Sequence, residues 1–204
     1  MAKRTNDPDG MRRRITEAAF ELFTRDGYNA TAMHQVRDLA GVSSGAFAHH
    51  FPSKHGLGLA VIRERVAEAI EDTWIKPVAS ARSARAGVHA VFEQVIAELD
   101  GNGSVSGCPL GNLAAELSTQ GSEFRSELHG IFQRWASAIR TKLAVDGYTR
   151  DEGAAMASFV VSAFSGAMLQ AKAEQSSAPL RLNARLLNRL LAPAARQSVT
   201  KGKR

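Results

Sequence analysis

The sequence predicts an all-α protein, with an N-terminal three-helix helix-turn-helix domain and a larger helical domain behind it. Apolar residues recur at helical spacing in about eight or nine segments. No segment alternates at the two-residue period of a half-buried strand. Helix-ending and helix-starting residues punctuate the pattern, among them Gly27, Gly41, Ser43, Pro77, Asp146-Gly147 and Thr149. At 204 residues, 44% hydrophobic and 23% charged, the chain can bury a sizeable core. Boundaries are expected near residue 52, where the head gives way to the body (53–195), and near residue 196, where a basic, disordered tail begins.

Residues 1–10 read as a polar arm. Its Lys3 and Arg4, with Arg12, Arg13 and Arg14 behind, are placed to lie along phosphates or simply in solvent. The first helix runs from Pro8 to Asp26. Asp7 suits its cap, Pro8 its first turn, and Ile15, Ala18, Ala19, Leu22 and Phe23 make one apolar face before Gly27 stops it. Residues 31–57 then hold two short helical segments around the Ala40-Gly41-Val42-Ser43 turn. Gly41 accepts a left-handed backbone, and the Ser43 hydroxyl caps the second helix. Met33, Val36 and Ala40 on one helix face Phe47 and Phe51 on the other, so the N-terminal end of the second helix is left in solvent. That end carries Ser44, Gly45, Ala46 and His49, small or hydrogen-bonding residues suited to a DNA major groove. Thr31, at the start of the first of these helices, is placed to grip a phosphate with its hydroxyl and nearby amides. Lys54 opens the following helix, where an external anion would offset the unfavourable dipole.

The next helix is expected from Ser53 to about Lys76, ended by Pro77, with Gly56 and Gly58 as a pivot or as close-packing positions. It would join head to body. After a helix ending at Asp100-Gly101, the Gly-rich run to Gly107 reads as a connection, since no strand or Gly-Lys-Ser/Thr accompanies it. Cys108 caps a helix in which Asn112 and Glu116 share a face. A thiol at a helix N-terminus can be acidified and made reactive; the alternative is a small buried hydrophobe. Helices from Ser122 to a close at Asp146-Gly147 and from the Thr149–Glu152 capping box to about Glu174 follow, then a leucine-rich helix to Leu191. The last two carry more apolar surface than one core needs, which predicts pairing with a second copy.

The head resembles the DNA-binding domain of TetR-family bacterial transcriptional repressors. The resemblance rests on Ile15, Ala18, Ala19, Leu22, Phe23, Gly27, Thr31, Val36, Ala40-Gly41-Val42-Ser43, Gly45, Phe47, His50-Phe51, Lys54 and Leu57. It implies base contacts at Ser44, Gly45, Ala46 and His49 and phosphate contacts around His50 and Lys54; Ser43 and Thr31 complete the candidate DNA-binding set. Ala48, Arg37 and Ser44 depart from the usual pattern, replacing a common tyrosine, a small packed residue and a frequent lysine. Gly107-Cys108-Pro109-Leu110-Gly111-Asn112 is similar to a segment in one branch of the family, within the domain that binds small molecules. The resemblance further implies a homodimer, a palindromic double-stranded operator and release by a small-molecule effector. Trp74, Phe92, Cys108, Asn112, Glu116, Trp135 and Phe159 are expected between the body helices as effector-binding candidates. Trp135 and Asn112 lead, because a buried indole N–H and a buried amide need partners.

The net charge of +6 and pI near 9.9 favour a polyanionic partner. No stretch reads as a membrane span and no apolar leader opens the chain, so the bacterial cytoplasm is the expected compartment. One cysteine excludes an internal disulfide. Neither a metal site nor a cofactor nor an enzyme is predicted: His34, His49, His50 and His55 have no cysteine or acidic pair at ligand spacing, and no nucleophile or zinc-protease pattern occurs.

Overall fold

The computed structural model describes residues 7–192; Lys3, Arg4 and the basic tail lie outside them. In the head, α1 (Pro8–Arg25) starts where the Asp7 carboxylate accepts the Gly10 amide at 2.9 Å. The two short helices are α2 (Met33–Ala40) and α3 (Ser44–His50). Ile15, Ala19, Phe23, Val36, Phe47 and Phe51 are all buried and form the head's core.

The body begins with α4, a continuous helical stretch over residues 54–80 that contains two wide π segments, Val61–Val66 and Glu71–Ile75. It passes the expected stop at Pro77. The proline follows directly on the second π segment, and the helix ends only at the extended Ala81. Five more helices follow: α5 (Ala84–Asn102), α6 (Pro109–Leu117), α7 (Ser122–Val145), α8 (Arg150–Glu174) and α9 (Ala178–Leu190). Thr149 and Glu152 form the expected capping box at the start of α8. The Gly-rich connection after α5 is tied down, because Gln175 accepts the Val105 amide (3.1 Å) and donates to the Val105 carbonyl (3.2 Å).

One expectation is corrected here. Residues 153–170 of α8 carry no charged side chain, and by length and composition alone that helix could cross a membrane. Part of this apolar surface packs inside the body. Val160, Val161, Phe164, Ala167, Met168 and Ala171 are buried in the body, where α8 packs along α7 and α9.

Candidate nucleic-acid interface and effector-binding body

Gly41 makes the head's sharp turn possible. Its φ of 63° is left-handed, a conformation that costs a residue with a Cβ, and it ends α2 in the way that lets α3 start three residues later. Ser43 then accepts the Ala46 amide at 3.3 Å and fixes the first turn of α3. Phe47 (6% exposed) and Phe51 (3%) hold α3 from behind. Ser43, Ser44, Gly45 and His49 face solvent, with Ala46 and His50 half-buried beside them. A Cβ built on Gly45 would meet nothing within 4 Å, so this edge of the helix is open to a partner. Arg37 crosses the turn to donate to the Ser44 hydroxyl (3.2 Å) while pairing with Asp38, so it points along the exposed edge rather than into the core.

Two phosphate-binding assignments change. Thr31 is 2% exposed, and its hydroxyl donates to the Gly27 carbonyl at 2.7 Å. Helix α2 begins two residues later than expected, at Met33, so Thr31 closes the loop between α1 and α2 instead of facing outward. Lys54 is half-buried: its ammonium donates to the Asn29 carbonyl at 3.2 Å and sits 4.6 Å from the Tyr28 ring centroid. Burial pulls its pKa down, and the Glu116 carboxylate pushes it back up. Lys54 therefore braces the loop, leaving two of its three N–H groups for anything else. Arg12 is likewise engaged, paired with Glu64 and stacked 4.8 Å from the Phe51 ring centroid.

The helix after Cys108 does not line the interior in the expected way. Asn112 and Glu116 look toward the head. The Asn112 amide donates to the Thr24 carbonyl at 3.2 Å and to the Ser106 carbonyl at 2.9 Å, and its oxygen accepts from Lys172 at 3.5 Å. The Glu116 carboxylate accepts the Asn29 amide at 2.9 Å. Gln120, one further turn along, donates to the Asn29 side chain at 3.1 Å and to the Glu116 carbonyl at 2.9 Å. The row 112, 116, 120 thus bridges the body to the last turn of α1 and the loop that enters the DNA-reading helices. Gly27 suits this loop by its backbone, and any Cβ there would push the Glu116 carboxylate aside. Its φ is 92°, and a Cβ would lie 2.4 Å from the Glu116 carboxylate.

Cys108 sits at the cap of α6, only 9% exposed. Burial raises its thiol pKa, and the Leu110 and Gly111 amides only partly oppose that. Of the two readings of Cys108, the small buried hydrophobe is the one its surroundings match, because desolvation outweighs the acidifying effect of the helix end. Alkylation by iodoacetamide should therefore rise with pH along a curve displaced upward from that of the denatured chain, because less thiolate exists at each pH in the folded state. A folded-state curve at or below the denatured one would contradict this.

Four of the expected interior residues meet differing fates. Trp74, Phe92 and Trp135 do converge, and they are 1%, 0% and 0% exposed. The two indoles lie 4.8 Å apart between centroids, with Phe92 6.0 Å from Trp74. Phe159 does not join them. It is 49% exposed on the outer side of α8, and Phe164, five residues on, takes its place at 4.8 Å from Trp74, 5.7 Å from Trp135 and 5.3 Å from Phe92. Phe164 already belonged to the apolar pattern of its helix, but periodicity alone did not say which aromatic turned inward. Among the described residues no three His, Cys, Asp or Glu side chains gather as metal ligands would.

Comparison with known proteins agrees with this architecture. Residues 15–61 match the family model described as bacterial regulatory proteins, tetR family, and residues 84–186 match that of the LmrA/YxaF-like transcriptional regulator C-terminal domain. The transcriptional repressor DhaR of Mycobacterium sp. strain GP1 is 28% identical over 185 residues, covering 83% of this chain and 86% of that protein. The transcriptional regulator LmrA of Bacillus subtilis is 26% identical over 170 residues, with 83% and 90% covered. Among solved structures, the reduced form of NemR from E. coli superposes with a TM-score of 0.82 at 22% identity, over 91% of this chain and 98% of that one. With its N-terminal helix-turn-helix and a matching helical body, the chain belongs to the TetR family of transcriptional regulators.

Proposed function

We propose that the protein is a homodimeric repressor of the bacterial cytoplasm that binds a palindromic operator through α3 and leaves it when a small molecule enters the body. The observation that carries this reading is the placement of α3, whose polar N-terminal edge is exposed while two phenylalanines anchor it from behind. Base contacts fall to Ser44, Gly45, Ala46 and His49, with Ser43 and His50 at the flanks. Double-stranded DNA and a second copy of the chain are the macromolecular partners, and the reading assigns no catalysis and no cofactor. An effector can weaken DNA binding only by favouring an arrangement that the operator does not. In a two-fold dimer the α3 helices must stand about 34–36 Å apart. The polar row on α6 supports a route for such a change, because it connects the body directly to the loop that positions α2 and α3.

Mobility-shift titration on the DNA upstream of the protein's own gene tests the reading. Saturable binding that survives excess unrelated duplex is expected; binding indifferent to sequence would overturn it. For the α6 contact, Glu116→Ala removes the acceptor of the Asn29 amide. Hydrogen exchange at Asn29 should then quicken by about fivefold, as loss of ~1 kcal/mol of hydrogen bonding implies. Unchanged protection would show that the contact does not hold the loop.

A further inference from the structure

We propose that the effector site is the aromatic cluster around Trp74 and Trp135, and that it takes a neutral, flat carbonyl compound whose oxygen accepts hydrogen bonds from the two indoles. This rests on the reading above that the body binds an effector. One aromatic side chain arrives from each of four helices: Trp74 from α4, Phe92 from α5, Trp135 from α7 and Phe164 from α8. Both indole N–H groups are fully buried, and neither finds an acceptor in the protein. Leaving such donors unmet is costly, so two side by side point to an outside acceptor.

The surroundings narrow the chemistry. Among the described residues the buried polar side chains are Thr16, Thr31 and Ser177. The first two lie in the head, and the Ser177 hydroxyl is engaged with Asp100 at 2.6 Å. The cluster therefore has no buried charge to pair with an ion, and an ionic ligand would lose its hydration uncompensated. An indole N–H only donates, so the complementary group on the ligand is an acceptor. The ring faces favour a flat, apolar frame.

A second observation concerns how the site opens. The rings already touch, so a ligand must part them. Trp74 lies in the π segment Glu71–Ile75, a wide form of helix that carries an extra residue in its turn. That turn can yield while the helix on either side persists. The same helix begins at Lys54, which rests on Tyr28 and the Asn29 carbonyl of the head, so displacement of Trp74 is passed toward the DNA-reading helices.

Calorimetric titration with three probes of one shape tests the proposal: 2-acetonaphthone, its alkene isostere 2-isopropenylnaphthalene, and 2-naphthoate. The ketone should bind about fivefold to tenfold tighter than the alkene, as one to two net hydrogen bonds allow, and the carboxylate should bind weakest. Trp74→Phe and Trp135→Phe keep a ring but remove a donor. At least one of them, shown folded by its thermal transition, should bring the ketone and alkene affinities within about twofold of each other while still binding the alkene. Equal binding of ketone and alkene by the unaltered protein, tightest binding of the carboxylate, an undiminished preference in both variants, or no binding of any probe would each overturn the proposal. Equal binding would assign the indoles to internal water. The same preparations are assayed without probe on upstream DNA. Failure there overturns the regulator reading, whereas intact DNA binding with no ketone preference overturns only the assignment made here.

Discussion

Replacing Leu186 and Leu190 together by glutamate is expected to turn the protein into a monomer and to lower operator affinity by about a hundredfold or more. These two side chains and Leu182 stand at four-residue spacing along α9, each about half exposed, while Leu180, Ala184 and Leu187 on the other side of the helix are buried. Phe159 (49% exposed) and Leu169 (68%) lie outward on α8, against which α9 packs. Leaving this much leucine and phenylalanine in water is unfavourable, and a second copy would remove it. The substitution puts carboxylates into that contact and leaves the body's own core untouched. Light scattering after size exclusion reads the mass, and a mobility shift reads the affinity. A monomer loses the gain from binding two half-sites at once. A double variant that remains dimeric would place the contact elsewhere.

Gly45→Asp should abolish specific DNA binding without harming the fold. The position is exposed, a Cβ there meets nothing, and an acidic residue in the first turn of a helix interacts favourably with the helix dipole. The thermal midpoint should therefore hold or rise slightly. Against DNA the same carboxylate faces phosphates and base acceptors, so operator affinity should drop by about a hundredfold. Phe47→Ala provides the contrast. It empties a buried site at a cost of about 3–5 kcal/mol, so stability and binding fall together. Retained affinity in Gly45→Asp would mean that α3 is not the reading helix.

How much could be read in advance differs between the two halves of the chain. The head was legible because its determinants are local. Asp7, Gly41 and Ser43 act on amides or carbonyls a few residues away, and the apolar faces of α1, α2 and α3 follow directly from spacing. Even there Thr31 was misplaced, since its inward turn depends on the Gly27 carbonyl and on α2 starting two residues later than expected. In the body, the helices and the excess apolar surface of the last two were plain from periodicity, but which side chains meet, and which leucines stay exposed, were not.

Sequence by itself determined the helices, their caps, the turn at Gly41 and the polar edge of α3, because each arises from interactions within about one helical turn. The tertiary structure alone decided that Glu116 would reach Asn29, that Phe164 rather than Phe159 would meet the tryptophans, and that Cys108 would be desolvated rather than activated. Those outcomes depend on how helices distant in sequence rotate and dock against one another. A repeating apolar pattern specifies the face that turns inward, but not the partner that face will find.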